Sequence, residues 1–302
     1  MKPSSSPSSP NPPQALLHPL DRWAPALFVL LWSTGFIAGK AGVADSGPFH
    51  LVMIRFAIAS VLLFSFAFLT RAPWPKQSQD ILHIIIAGLL VHAGYIGAVF
   101  TALHQGVTAG QIAMIVGLQP LLTALCASWL LNETVGLRRW LGLLTGLLGV
   151  GLVISPRLTH GIFTAEATLG MPAALFALCS ISIGTIYQKR FCQGMDLRSG
   201  GAIQYAASSL VIFFLIGADD PAPEWTARLI FALSWLVLVL SLGAIGLLYR
   251  LLEHGEASKV VTYFYLVPPV TTLLGVILFG ESLTVLTVIG TALVSIAVAL
   301  AA

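Results

Sequence analysis

Beyond Trp23 the chain alternates apolar runs of about 18–25 residues with short polar breaks. A helix needs roughly 20 apolar residues to cross a bilayer. Inside the bilayer the backbone must satisfy its own hydrogen bonds, so each run is read as a helix. The runs fall at 24–41, 50–69, 80–102, 108–131, 138–155, 167–190, 199–217, 228–252, 258–279 and 283–301, which makes ten spans. The shortest break precedes the last run, where Gly280, Glu281 and Ser282 serve as the whole turn.

The positions between the runs carry the next signal. With the N-terminus inside, the cytoplasmic segments hold Lys2, Arg22, Arg71, Lys76, Arg138, Arg139, Lys189, Arg190, Arg198 and Lys259. The opposite side holds Arg157 and Arg228, with Lys40 near a helix end. Basic residues collect on the cytoplasmic side of membrane proteins, so both termini are expected there. Residues 3–13, PSSSPSSPNPP, cannot build an apolar face and are expected to stay disordered. Lys2 followed by that run is not a signal peptide, which needs an apolar stretch after its basic start.

The chain also repeats itself. It reads LQPLLTALCASWLLNETVGLRRWLG around Pro120 and LVPPVTTLLGVILFGESLTVLTVIG around Pro268. Pro120, Glu133 and Gly142 correspond to Pro268, Glu281 and Gly290 at one offset of 148 residues. Ser33, Gly35 and Lys40 correspond to Ser182, Gly184 and Lys189 at 149. The expected organisation is a tail at 1–22, a first five-helix repeat at 23–157 and a second at 158–302. Five is odd, so the second copy enters from the opposite side and the halves are inverted. Inverted halves are a known route to alternating access, with the substrate site near mid-membrane between them.

Composition sharpens the class. Residues of the AVILMFWYC set make up 57% of the 302 residues, DEKR only 9%, and mean hydropathy is +0.91. A soluble globule of this size could not cover its surface with so few charges. The expected fold class is therefore an all-α integral membrane protein of ten transmembrane helices. Fifteen basic against twelve acidic residues is too slight a bias for nucleic-acid binding. Cys126, Cys179 and Cys192 show neither metal spacing nor a disulfide framework. No Walker motif, HExxH or GxSxG is present, and the residues call for no cofactor or metal.

The segment LLWSTGFIAGK, with Arg55 in the next helix, resembles the opening of the EamA family of the drug/metabolite transporter superfamily. The twofold P-x12-E-x8-G pattern resembles the close of each of its repeats. The resemblance covers residues 23–302 and implies a ten-helix carrier of small metabolites, commonly an exporter in a bacterial inner membrane. Within the superfamily the chain is most similar to exporters of neutral and aromatic amino acids.

Polar side chains inside spans are costly, which makes them site candidates. No Asp or Glu falls near the middle of any span, with Glu133 and Glu281 at helix ends. That argues against a cation exporter built on a membrane-embedded glutamate. Phosphate carriers would want several cavity cations, whereas Lys40, Arg55 and Arg250 all lie away from mid-span. A neutral or zwitterionic solute remains. His92 is central in the third span, with Tyr95 at i+3 on the same face. It is read as a substrate or protonation group, or else as a neutral histidine bonded to a neighbouring helix.

Trp32, Ser33 and Thr34 lie midway along the first span, and Trp32, Phe36 and Lys40 form a stripe. Lys40 is read as snorkelling to the interface rather than holding a substrate carboxylate. Pro120 and the pair Pro268 and Pro269 each remove a helical hydrogen bond, which would free the carbonyls of Val116, Phe264 and Tyr265 for a hinge or cavity role. Gln119, Tyr263 and Tyr265 adjoin them. Gln188 and Gln204, beside Tyr187 and Tyr205, are weaker candidates, and Gln188 lies near a span end. Gly142, Gly146, Gly149 and Gly151 read as a small-residue seam that packs the fifth helix tightly. Glu253, His254 and Glu256 read as a solvated turn rather than a metal site.

The readings that follow are a secondary carrier, an intramembrane enzyme using Ser33 and His92, and a channel. A channel needs a charge ring or carbonyl filter that this sequence lacks. The carrier is driven by a gradient or runs as a uniporter, with His92 the candidate coupler. Because both halves are fused in one chain, a functional monomer is expected.

Overall fold

The computed structural model describes residues 19–119, 121–123, 136–159, 165–244, 247, 266–281 and 283–301. The helices are α1 Pro19–Val43, α2 Pro48–Leu69, α3 Ser78–His104, α4 Ala109–Val116 and α5 Leu137–Thr159. The second half continues with α6 Ala165–Phe191, α7 Leu197–Leu215, α8 Ala227–Ala244, α9 Val267–Phe279 and α10 Val285–Ala301. Among the described residues five of these are long and apolar enough to cross a membrane: α1 from Trp23, α2, α3, α6 from Gly170, and α8. Large apolar side chains such as Phe68, Phe214, Phe231, Val61 and Ile277 stand exposed on the outside of the bundle. In water that belt would be a liability; in lipid it is the solvated face.

Packing follows the repeat. Helices five apart meet directly: α2 lies along α7, α5 along α10, and α4 against α9. The remaining contacts between halves come in matched pairs. α1 packs on α8 and α9 as α6 packs on α3 and α4, and α2 touches α8 as α7 touches α3. Individual hydrogen bonds obey the same operation. Ser60 donates to the Ala202 carbonyl at 3.0 Å, and Ser209 donates to the Met53 carbonyl at 3.0 Å. Each member of the second pair lies 149 residues from its mate in the first. The starts of α2 and α7, Pro48 and Leu197, differ by the same 149, as do Ser78 and Ala227.

The α5–α10 contact is the expected small-residue seam. A Cβ on Gly149 would stand 2.8 Å from the Gly290 carbonyl and 3.0 Å from Val294, and one on Gly146 would press on Leu118 and Ala297. Gly151 faces open space, so the seam uses only part of the run. Of the expected last turn, Gly280 and Glu281 are described and Ser282 lies outside the described residues. Gly280 closes α9 in the left-handed region at φ 63°, which favours glycine.

Each end of the bundle holds its own ion pairs. At one end Lys40 meets Glu281 at 2.5 Å, Asp45 pairs with Arg228, and His50 Nδ1 lies 2.6 Å from Asp220. At the other, Asp196 pairs with Arg198 at 2.7 Å, Arg198 reaches the Thr70 hydroxyl, and Ser199 donates to the Pro73 carbonyl.

Two features depart from a bundle of regular helices. α3 widens into a π-helical stretch over Leu89–Gly94, and α8 does so over Trp235–Ala244. Shifted by 149 residues, Leu89 falls on Leu238, inside the second stretch. Such bulges occur often at functional sites. The helical ladder also changes at Gly117 and Leu118 after α4, while Leu266 is the N-cap of α9, 148 residues beyond Leu118.

Candidate functional site

The two π-helical stretches each present one polar side chain to the repeat partner of the helix beside them. On α2, Arg55 is buried at 7% exposure, and its Nε and Nη2 both reach the Ser241 hydroxyl of α8 at 3.3 Å. On α7, Gln204 is buried at 4% exposure, and its Oε1 lies 3.2 Å from His92 Nε2 of α3. An amide oxygen only accepts, so the imidazole donates through Nε2–H. Arg55 and Gln204 differ by 149 residues, and so do His92 and Ser241. The two contacts are thus one contact repeated by the internal twofold.

Aromatic rings bind this quartet together. Tyr205 packs on His92 at 4.3 Å between centroids and on Phe56 at 5.2 Å, and Phe56 meets His92 edge-on at 5.6 Å. Phe56 and Tyr205 are themselves repeat mates at 149. The Arg55 guanidinium lies over the Phe56 and Phe100 rings at 5.7 and 5.9 Å. Arg55 is within electrostatic reach of His92, Tyr95 and Tyr205. Ser241 is spoken for on its donor side, since it donates to the Leu236 carbonyl at 3.1 Å across a π-helical turn.

The polar groups are unevenly satisfied. Among the described residues Arg55 has no carboxylate partner; the four ion pairs there all lie at helix ends. Gln204 Nε2 is buried with no hydrogen-bond partner. The cluster is rich in unspent donors.

Other expected residues stand elsewhere. Tyr95 is buried at the start of the regular helix after the π-helical stretch. The wider helix means that His92 and Tyr95 are not related by the α-helical i+3 geometry assumed from sequence. Ser33 is fully buried; it donates to the Val29 carbonyl of its own helix at 2.7 Å and lies 3.4 Å from the Val267 carbonyl. Trp32 is half-buried, its ring 5.4 Å from that of Phe28. Thr34 accepts from Trp235 Nε1 at 2.9 Å, which joins α1 to α8. Gln119 donates to the Thr185 hydroxyl at 3.1 Å, which joins the end of the fourth span to α6.

Pro268 and Pro269 do not kink the middle of a described helix. They occupy the first turn of α9, where no hydrogen bond to a carbonyl four residues earlier is due. Pro120, Tyr263, Tyr265, Glu133 and the Glu253, His254 and Glu256 group lie outside the described residues. Lys40 is not simply snorkelling. Its ammonium pairs with Glu281 and lies 4.5 Å over the Phe279 ring, while the same Glu281 Oε1 lies 3.4 Å from the amide of Ala109 at the start of α4.

Arg55, Gln204 and Ser241 do not stand out in a scan for mid-span charge, which treats each helix alone. The signal was available. Shifting every in-span polar residue by the repeat offset pairs Arg55 with Gln204 and His92 with Ser241. A cleft of about 550 Å³ between α3, α6 and α7 is apolar, lined by Ala93, Gly97, Phe176 and Ile212 among others, with no ionisable residue among the described ones.

Comparison with known proteins fits this architecture. The EamA-like transporter family matches the chain twice, over residues 23–155 and 168–302. The uncharacterized transporter YoaV of Bacillus subtilis (strain 168) is 25% identical over 267 residues, covering 88% of this chain and 90% of YoaV. The uncharacterized inner membrane transporter YedA of Escherichia coli (strain K12) is 28% identical over 263 residues, covering 86% and 83%. A solved crystal structure superposes with a TM-score of 0.63 at 20% identity, over 92% of this chain and 94% of that one, and so shares the fold.

Proposed function

The chain belongs to the EamA-like transporter family, a multi-pass membrane transporter and not an enzyme, and from that premise we propose that it exports small neutral or zwitterionic metabolites, amino acids including aromatic ones. In this reading the N- and C-termini are cytoplasmic and the membrane is the bacterial inner membrane, as for the relative YedA, an inner membrane transporter. The repeats, 23–157 and 158–302, are inverted and rock about a central site, exposing it to each side in turn. The observation that carries this is the quartet Arg55, Ser241, His92 and Gln204, which straddles the contact between halves at one repeat offset. A site held equally by both halves is where a rocking motion would open alternately.

The substrate class is supported by the charges. Among the described residues no carboxylate lies within the quartet and a single cation does, which suits neither organic cations nor dianionic phosphates. His92 is the candidate proton coupler, and the fused halves make a monomer sufficient. The test is transport in proteoliposomes of aromatic, branched and small neutral amino acids, a dicarboxylate, a sugar phosphate and an organic cation, with and without a pH gradient. Saturable movement of the neutral amino acids is expected. Movement of the phosphate or the cation in their place refutes the substrate class, and a His92→Ala protein keeping its full pH dependence removes His92 as coupler.

A further inference from the structure

Arg55 is a guanidinium buried inside a helical bundle. Desolvating such a cation costs several kcal/mol unless an anion or a full set of acceptors compensates it. Of its five N–H donors, two are directed at the single hydroxyl of Ser241, at the long distance of 3.3 Å. That hydroxyl offers lone pairs and no charge. The rings of Phe56 and Phe100 add a weak attraction to the cation and no acceptor for its hydrogens. By contrast, the exposed or half-exposed cations Lys40, Arg198 and Arg228 each hold a carboxylate. Among the described residues the most buried of these cations is the one without an anion.

A second observation is independent of Arg55. The amide Nε2 of Gln204, on the repeat mate of α2, is buried without an acceptor. Its neighbours in the cluster, His92 and Tyr205, do not supply one. Two helices related by the twofold therefore bring unused N–H donors to one cluster, and among the described residues nothing there carries negative charge. A donor surplus around one fixed positive charge is the complement of one planar, singly charged acceptor.

We propose that Arg55, supported by the free amide of Gln204, is the binding site for a single carboxylate on the transported solute. This rests on the transporter reading above and narrows it: the solute is a monocarboxylate, with or without an ammonium group. A dicarboxylate or a phosphate dianion would bring a second negative charge into the cluster, where Arg55 is the single cation among the described residues. The competing role for Arg55 is structural, tying α2 to α8 through Ser241 and the two rings.

The test uses the full chain in proteoliposomes. The solutes are phenylalanine, its methyl ester, 2-phenylethylamine, 3-phenylpropionate, succinate and inorganic phosphate, each also run as a competitor of phenylalanine. Phenylalanine is expected to compete and move, the ester and the amine at least about tenfold less well, the loss typical of one charge-assisted hydrogen bond. 3-Phenylpropionate moving as well as phenylalanine identifies the carboxylate alone as the recognised group. Its failure beside active phenylalanine adds the ammonium as a requirement and leaves the carboxylate site standing. Arg55→Gln is expected to bring phenylalanine down to the level of its ester without changing the ester, and Arg55→Lys to restore part of it.

Ester and amine moving as well as phenylalanine through the unmodified protein would overturn the proposal without any variant, so it stays testable if Arg55→Gln does not fold. An Arg55→Gln protein of normal melting temperature that loses acid and ester alike would overturn it in favour of the structural role. Phosphate, succinate or the amine moving while monocarboxylates do not would sink this inference and leave a transporter. No solute moving at all would sink the transporter reading with it.

Discussion

In the first half of the chain α2 brings a guanidinium, Arg55, to a hydroxyl on α8; in the second half α7 brings an amide, Gln204, to an imidazole on α3. The backbone operation is the same and the chemistry is not. One turn or so away the repeat is conservative in its contacts: Ser60 and Ser209 make the same side-chain bond to the same carbonyl position of the facing helix. The contrast teaches that the twofold governs how the halves pack, while charge at the centre has been placed on one side only. A bound solute would then meet a cation from one half and neutral donors from the other. It would have one orientation rather than two.

The packing side of that comparison breaks most readily at the α5–α10 seam. Gly149→Leu drives a side chain into the Gly290 carbonyl and Val294, and should cost about 3 kcal/mol or more, as overpacking does. Gly151→Leu, two residues on in the same helix, meets nothing within 4 Å and should be near neutral. Melting curves of the two variants in one detergent decide the matter. Equal losses would mean that helix propensity or lipid contact, not the seam, holds these helices.

The central contacts come next. Ser241→Ala removes the hydroxyl that accepts from Arg55 and should cost about 2 kcal/mol, in the range for a hydrogen bond to a charged group. His92→Phe keeps a ring against Phe56 and Tyr205, removes only the donor to a neutral amide and should cost less, about 1 kcal/mol. If the twofold alone set the energetics, the two losses would be equal. Chemical denaturation of both variants distinguishes the cases, and a larger loss at His92 would reverse the assignment of the charged half.

Much of this is legible in the sequence. Apolar run length placed the ends of α2, α3 and α6 within about two residues, because crossing a bilayer leaves little freedom in helix length. The offsets of 148 and 149 exposed the duplication, and the Gly146 and Gly149 spacing exposed the seam. The π-helical stretches were invisible, since one extra residue in a turn leaves an apolar run just as apolar. Arg55 was visible as a residue but not as a site. Its significance lies in what α8 places opposite it, and hydropathy read along one helix carries no information about its neighbour. Pro268 and Pro269 misled for a related reason: span length alone does not say where within a run a helix begins.

A smaller asymmetry lies at the ends of the bundle. Lys40 is paired with Glu281, while its repeat mate Lys189 is exposed and has no carboxylate partner among the described residues. Lys40→Ala should therefore cost about 1 kcal/mol and Lys189→Ala close to nothing, as for a partly exposed pair against a solvated charge. A double-mutant cycle over Lys40 and Glu281 tests the coupling directly. No coupling energy in that cycle would leave the pair as a geometric coincidence.

The finest difference concerns how α2 and α7 begin. α7 is capped by its own Asp196, which accepts from the Arg198 and Ser199 amides. At the equivalent position, 149 residues earlier, stands Gly47, and α2 is capped from another segment: Asp220 accepts from the Phe49 and His50 amides. Beside it Asp45 holds Thr226 and Arg228, fastening the connection between α7 and α8 over that end. The hydrogen bonds from Arg228 and Thr226 lower the Asp45 carboxyl from 3.8 to about 2, and the Arg198 side chain likewise lowers Asp196. A depressed carboxylate contributes stability that is full above its ordinary value and is lost as pH falls through the folded one. The strap should accordingly hold without change from pH 8 to pH 5 and loosen only between 3.8 and about 2. Arg228→Gln should move that loosening up toward 3.8 and leave the α7 end untouched. Hydrogen exchange at the Glu224 amide, which donates to the Asp45 carbonyl at 2.8 Å, reports on the strap. Exchange that quickens already between pH 7 and 5, after correction for its intrinsic pH dependence, would remove Asp45 as the group that controls this end.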